Sequence, residues 1–217
     1  MKIQLLLLIL SVGISRIDAD ESGDTVTVTL FYESYCPDCK DFIVNKLYSA
    51  WTSFKGHGVL FDLVAFGNAR QKYVDGHWEF HCQHGPEECE ANKLHACAVY
   101  QTCGDKGTKD CDVDKLSPAM DFIYCVLRKP DQLRATKQCA QDTGLDGDAI
   151  LSCANGQQGD SLLNLYGNQT LAFQPRIRYV PTVAINGKHD KLAEDDLVGE
   201  ICKLLPQLCH SPEVITV

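Results

Sequence analysis

The sequence predicts an α/β fold interrupted by a disulfide-rich, mainly helical insertion, and three observations carry that reading. A strand, a Cys-x-x-Cys pair, a helix and a second strand follow one another between residues 25 and 66. That pattern then stops, and eight of the 12 cysteines crowd between Cys82 and Cys153. It resumes with a strand at residues 179–185 and a helix at residues 194–205.

Residues 25–32, TVTVTLFY, alternate β-branched and polar side chains with period two and turn apolar toward Tyr32, as a strand entering a core does. Pro37 follows Cys36 and suits the first turn of a helix, where its missing N–H is not needed. Asp38 and Asp41 then lie near the positive end of the helix dipole, while Phe42, Ile43, Leu47 and Trp51 recur on one face and are assigned to the core. Residues 59–66, VLFDLVAF, read as a buried strand, which completes a parallel crossover unit.

From Gly67 the chain is rich in turn formers, histidine and cysteine, and no regular element is predicted before residue 90. Helices are expected at about residues 90–102, 117–128, 131–140, 147–154 and 159–172, with Pro118 early in the second and Pro130 ending it. They are short, so bridges among them would compensate for a thin core. In the final unit Pro181 opens the strand, and Asn186-Gly187 signals a tight hairpin.

Lys2 is followed by an apolar run of signal-peptide length, too short to span a bilayer, so residues 1–19 are expected to be removed. Of 20 basic and 29 acidic residues, 18 and 28 then remain, a net charge of −10. With no basic cluster, nucleic-acid binding is excluded. A secretory route with 12 cysteines implies a disulfide framework. Setting Cys36 and Cys39 apart leaves Cys82, Cys89, Cys97, Cys103, Cys111, Cys125, Cys139, Cys153, Cys202 and Cys209 as structural cysteines. Their connectivity stays open, except that Cys202 and Cys209 are expected to clip the terminal helix to its tail.

Spacing alone leaves Cys36-x-x-Cys39 open between metal ligands, an inert bridge and a redox pair. Zinc would need further ligands from Cys82, His84, Cys89, His95 or Cys97, and an oxidising route favours pairing those thiols. Two contexts favour redox chemistry. The pair sits between a strand end and a helix start, where N–H groups and the dipole stabilise a Cys36 thiolate. The distant Val180-Pro181, opening a strand beside a hairpin, resembles the cis-proline segment that faces the redox pair in thioredoxin-like folds.

The residues Cys82-Gln83-His84-Gly85, Glu88-Cys89, Asn92 and Cys97, at the spacing in which they occur, resemble the signature of the gamma-interferon-inducible lysosomal thiol reductase family. Gly67-Asn68-Ala69, the stretch Gly76, Trp78, Glu79 and Phe80, Tyr179-Val180-Pro181 and Asn186-Gly187-Lys188 are also similar to that family. The resemblance implies a thioredoxin-like fold, formed by residues 20–66 and 173–209, with an insertion over residues 67–172; the chain end after Cys209, residues 210–217, reads as a flexible tail. The resemblance also implies a lysosomal or secreted glycoprotein that reduces protein disulfides at acidic pH, and the sequon Asn168-Gln169-Thr170 makes Asn168 the expected glycosylation site. Cys36 and Cys39 are then catalytic, and Val180 and Pro181 bind substrate. No metal or organic cofactor is expected, and a small thiol supplies the electrons. Pro37 and Asp38 depart from the Gly-containing pair of the vertebrate members, and an acidic Asp38 is expected to disfavour the thiolate. Rival readings are an oxidant or isomerase on the same fold, and a disulfide-stapled binding protein of host defence that does not use its pair.

Overall fold

The computed structural model describes residues 25–209; the expected signal peptide and the tail at residues 210–217 lie outside them. Its main sheet has four strands in the order β2-β1-β5-β6. Strand β1 (Val26–Tyr32) pairs in parallel with β2 (Val59–Ala65), from Val26 opposite Val59 to Tyr32 opposite Ala65. On its other edge β1 runs antiparallel to β5 (Thr182–Ile185), which turns through Asn186-Gly187 into the short β6 (Lys188–His189). Both turn residues have positive φ, 50° and 75°, as this kind of hairpin requires. Strand β5 is shorter than the sequence predicts and begins after Pro181, which has no N–H to give to a ladder.

Between β1 and β2 the chain runs through one continuous helical segment: α1 (Pro37–Phe42), a π-helical stretch (Ile43–Leu47) and α2 (Tyr48–Phe54). Phe42, Ile43, Leu47, Trp51 and Phe54 are all buried, and Trp51 meets Phe61 of β2 edge-on with centroids 5.4 Å apart. Each fully buried aliphatic or phenyl side chain of this kind stabilises the fold by about 2 kcal/mol. The crossover helix is thereby fixed against the sheet, and its first turn, which carries both cysteines, with it.

The region after Gly67 differs from the sequence reading. It opens with a hairpin, β3 (Arg70–Val74) and β4 (His77–His81), turning at Asp75-Gly76 where φ is 47° and 87°. These strands are largely exposed; β3 is mostly polar and β4 alternates polar with aromatic residues, so no apolar run announces them; the Asp-Gly pair was the available signal. Helices α3 (Pro86–Cys103), α4 (Val113–Leu127), α5 (Gln132–Asp142), α6 (Gly147–Ala154) and α7 (Gln157–Ala172) follow. Helix α4 starts four residues earlier than its proline suggests, because the Asp112 carboxylate accepts from the N–H groups of Asp114 and Lys115 and caps it. Pro118 therefore lies inside the helix. The single terminal helix predicted at residues 194–205 is two, α8 (Lys191–Asp195) and α9 (Leu197–Leu204). Asp196 breaks them apart, leaves helical geometry and caps α9 by accepting from Gly199 N–H at 2.9 Å.

Disulfides join Cys82 to Cys89, Cys97 to Cys153, Cys103 to Cys111, Cys125 to Cys139, and Cys202 to Cys209. Four of the five lie within residues 82–153: three tie α3 to its surroundings, and Cys125–Cys139 joins α4 to α5. Cys36 and Cys39 are free. Among the described residues, no helix is long and apolar enough to cross a membrane.

Candidate redox site

Strand β1 ends at Tyr32, and the three residues that lead to Cys36 are held from both sides. Ser34 N–H donates to Asn92 Oδ1 at 2.9 Å, Ser34 Oγ donates to the Glu88 carbonyl at 3.2 Å, and Gln132 Nε2 donates to the Ser34 carbonyl at 2.7 Å. Beneath them, Tyr32 Oη lies 3.0 Å from His95 Nδ1, and His95 Nε2 lies 3.1 Å from Gln132 Oε1. The Gln132 oxygen can only accept, so His95 carries its proton on Nε2 and receives the Tyr32 hydroxyl on Nδ1. Burial pushes the His95 pKa down to about 4, which keeps the ring neutral in this chain of bonds. The approach to Cys36 is thus built largely from α3 and α5, outside the crossover unit.

Cys36 is the N-cap residue of α1, and its Sγ accepts from Cys39 N–H at 3.3 Å. The Cys36 pKa is lowered from 9.0 to about 6. The Cys39 thiol contributes most; burial opposes it, and the N–H groups of Cys39 and Asp38 and the His84 ring add to the lowering. The Asp38 backbone N–H is thus one of the groups that favour the anion. Cys39 is fully buried, and burial, reinforced by Cys36, pushes its thiol far up. One sulfur is ready to ionise, and the other holds its proton.

Val180 and Pro181 come to the same place. The Val180–Pro181 peptide is cis, and the Val180 carbonyl oxygen lies 4.0 Å from Cys36 Sγ. Cys36 is 6% exposed, at the edge between helix and cis-proline segment.

Three residues that were not assigned as site residues complete the surroundings. Glu33 has a fully buried side chain; its Oε1 accepts from Asn68 N–H at 2.5 Å, and its Oε2 lies 3.2 Å from His84 Nδ1. That nitrogen is 2.6 Å from Glu88 Oε2, so its proton goes there and Glu33 Oε2 is left without a hydrogen bond. Burial accordingly raises the Glu33 pKa from 4.5 to about 7, with the negative Glu88 and Cys36 adding and the Asn68 N–H and His84 opposing. For His84, burial acts downward but Glu88 and Glu33 outweigh it, so the ring gains its proton more readily than usual. Gly67 packs on this carboxyl: at φ 59°, a Cβ there would sit 2.5 Å from Glu33 Cγ. Asn68 Nδ2 also donates to Gln83 Oε1 at 2.9 Å. The Gly67-Asn68 and Cys82-Gln83-His84 motifs thus meet around Glu33. Its signal in the sequence was an acidic side chain directly after an apolar strand end and three residues before Cys36.

Glu33, His84 and Glu88 are the one group among the described residues whose ligand atoms lie close enough together to present three donors to a cation. Their shared protons account for the arrangement without one. The zinc alternative loses its ligands: Cys82, Cys89 and Cys97 are bonded in disulfides and His95 is engaged on both nitrogens. The Cys82–Cys89 bridge instead staples the loop bearing His84 to α3. Asn168 is exposed on α7, with its Oδ1 accepting from Gln71 Nε2 at 2.9 Å.

Comparison with known proteins agrees with this geometry. Residues 27–143 match the family model described as gamma interferon inducible lysosomal thiol reductase. The chain is 31% identical over 202 residues to GILT-like protein 1 of Drosophila melanogaster, covering 87% of this chain and 80% of that protein. It is also 31% identical over 191 residues to the gamma-interferon-inducible lysosomal thiol reductase of Carassius auratus, covering 86% and 70%. In fold it is similar to reduced DsbA from Mycobacterium tuberculosis, with a TM-score of 0.60 at 15% identity over 90% of this chain and 89% of that one. The chain has the thioredoxin-like fold and belongs to the gamma-interferon-inducible lysosomal thiol reductase family, and by class it is a thiol-disulfide reductase.

Proposed function

We propose that this protein reduces disulfide bonds of protein substrates at acidic pH through Cys36-Pro37-Asp38-Cys39, in the lysosome or after secretion, with a small thiol as electron donor and no metal or organic cofactor. The observation that carries the reading is the asymmetry of the pair. Cys36 ionises near pH 6 at a helix start beside the Val180 carbonyl, whereas Cys39 is sealed beneath it.

The Cys36 thiolate attacks one sulfur of the substrate disulfide; a Cys36–substrate bond forms, the substrate S–S bond breaks, and the departing thiolate takes a proton. Cys39 then gives up its proton and attacks Cys36 Sγ, which closes the Cys36–Cys39 bond and releases the second substrate thiol. Two electrons have moved from the pair to the substrate, and two equivalents of a small thiol return them. The low pKa matters most in acid. At pH 5 a thiol of pKa about 6 is roughly one-tenth ionised, against about one part in ten thousand for pKa 9.0. A Glu33 that is neutral below about pH 7 also removes a negative charge from beside the anion under those conditions.

Insulin reduction at pH 4.5 and at pH 7 tests the reading. Wild type turns over at pH 4.5, Cys36→Ser does not, and Cys39→Ser accumulates a mixed disulfide after one attack. Multiple turnover by either variant would overturn the roles assigned to the two sulfurs.

A further inference from the structure

We infer that the groove beside Cys36 selects disulfides whose neighbouring residues are positively charged, an inference that rests on the reductase reading above and names its preferred substrates. A cavity of about 280 Å³ runs along the first turn of α1 and the cis-proline segment, walled by Phe42 and Pro181. Its lining includes four acidic residues, Asp38, Asp41, Glu194 and Asp195, against two lysines, Lys46 and Lys191.

Both lysines are held back from a ligand. Lys46 Nζ donates to the Glu194 carbonyl at 2.8 Å and lies over the Phe42 ring at 5.8 Å. Lys191 Nζ pairs with the Glu194 carboxylate at 2.5 Å and lies over the Tyr179 ring at 5.1 Å. The same carboxylate receives Tyr179 Oη at 3.0 Å and lies 2.9 Å from His189 Nε2, so Glu194 is saturated by its own surroundings. Asp38, Asp41 and Asp195 are left. None of the three has an ion-pair partner among the described residues, and Asp41 has only the neutral Asn45 amide, 2.7 Å away. The groove therefore carries net negative charge with its cations already committed.

Position turns this charge into selectivity. Asp38 lies inside the redox pair and Asp41 one turn further along the same helix, while Val180 and Pro181 form the opposite wall. A substrate chain whose cysteine reaches Cys36 must lay its next residues between them. A lysine or arginine there rests its apolar stem on Phe42 and Pro181 and brings its charge to the unpaired carboxylates. A glutamate meets like charge in a partly enclosed cleft, where charge effects on association are strong.

The test uses three peptides of equal length, each with one disulfide flanked by lysine, glutamine or glutamate, reduced by the full-length enzyme at pH 5.5. The expected order of kcat/KM is lysine, glutamine, glutamate, with roughly tenfold between the extremes at low ionic strength and a smaller ratio at 0.3 M salt. Combining Asp41→Asn with Asp195→Asn should collapse that ratio, while Asp105→Asn with Asp148→Asn, on the helical insertion, should preserve it. Equal rates for the three peptides, or a ratio that survives the groove variant, overturns the inference and leaves the reductase reading standing. No turnover of any peptide overturns that reading, and the inference with it.

Discussion

Glu33 Oε2 lies 3.2 Å from His84 Nδ1, yet the proton on that nitrogen belongs to Glu88 Oε2 at 2.6 Å. Two buried carboxylates compete for one ring, and the loser stays protonated. Folded Glu33 keeps its proton up to about pH 7, the unfolded chain only up to about 4.5. Between those values the folded state binds more protons, so this group costs stability as pH rises through the window. Glu33→Gln is expected to match wild type near pH 4 and to exceed it near pH 8 by on the order of 2 kcal/mol, a value below the full shift to allow for screening. Urea unfolding of the reduced proteins at both pH values measures this. Parallel pH profiles would show that Glu33 does not hold its proton as described.

The Cys36 thiol should titrate near pH 6 when its alkylation rate is followed against pH, and Cys39 should show no alkylation in the same range. Because protonated His84 lowers the Cys36 pKa, His84→Gln should move the midpoint upward. A wild-type midpoint near 8 or above would remove the physical basis for Cys36 as the attacking sulfur in acid.

Much of this was legible in the sequence, for reasons that differ by element. The crossover unit showed because β1, the helix and β2 bury continuous apolar faces, and periodicity reports burial directly. The two ends of the site, Cys36-x-x-Cys39 and Val180-Pro181, could be named because of their context: spacing alone left three uses for the cysteines open, and a strand end, a helix start and a distant strand-opening proline beside a hairpin favoured one of them. The β3–β4 hairpin was hidden because it is mostly exposed, and the break at Asp196 because a capping aspartate looks like any other in a charged stretch. Glu33 was hidden for a different reason. Its importance comes from Gly67, Asn68 and His84 closing on it, and those residues are 34 to 51 positions away in the chain. The familiar motif around Cys82 pointed to a family, but only coordinates show that it encloses a carboxyl group.

Asn92 should prove structural through one atom. Its Oδ1 accepts from Ser34 N–H at 2.9 Å, while its own Nδ2 is buried without a partner. The fold tolerates that orphan donor to fix the loop before Cys36. Asn92→Ala removes that donor but leaves the Ser34 N–H without its acceptor, and a loss of about 1–3 kcal/mol is expected. If the loop also relaxes, the Cys36 alkylation midpoint rises, since the N–H groups aimed at its sulfur lose their alignment. An Asn92→Ala protein as stable as wild type would show that Ser34 finds another partner.

The bridges should rank by the length of chain they close. Cys97–Cys153 spans 56 residues and joins α3 to α6, whereas Cys82–Cys89 spans 7 and holds one loop. Loop-closure entropy in the unfolded chain predicts about 4 kcal/mol for the first and about 2.5 kcal/mol for the second. Paired Cys→Ala variants, compared by thermal unfolding, should therefore lose more stability at Cys97–Cys153. The shorter bridge has the opposite ranking for function. It anchors the loop that carries His84, so Cys82→Ala with Cys89→Ala should raise the Cys36 alkylation midpoint, while the Cys97–Cys153 variant, assayed well below its melting temperature, should leave it near 6. Equal midpoints in the two variants would separate the Cys82–Cys89 bridge from the electrostatics of the redox pair.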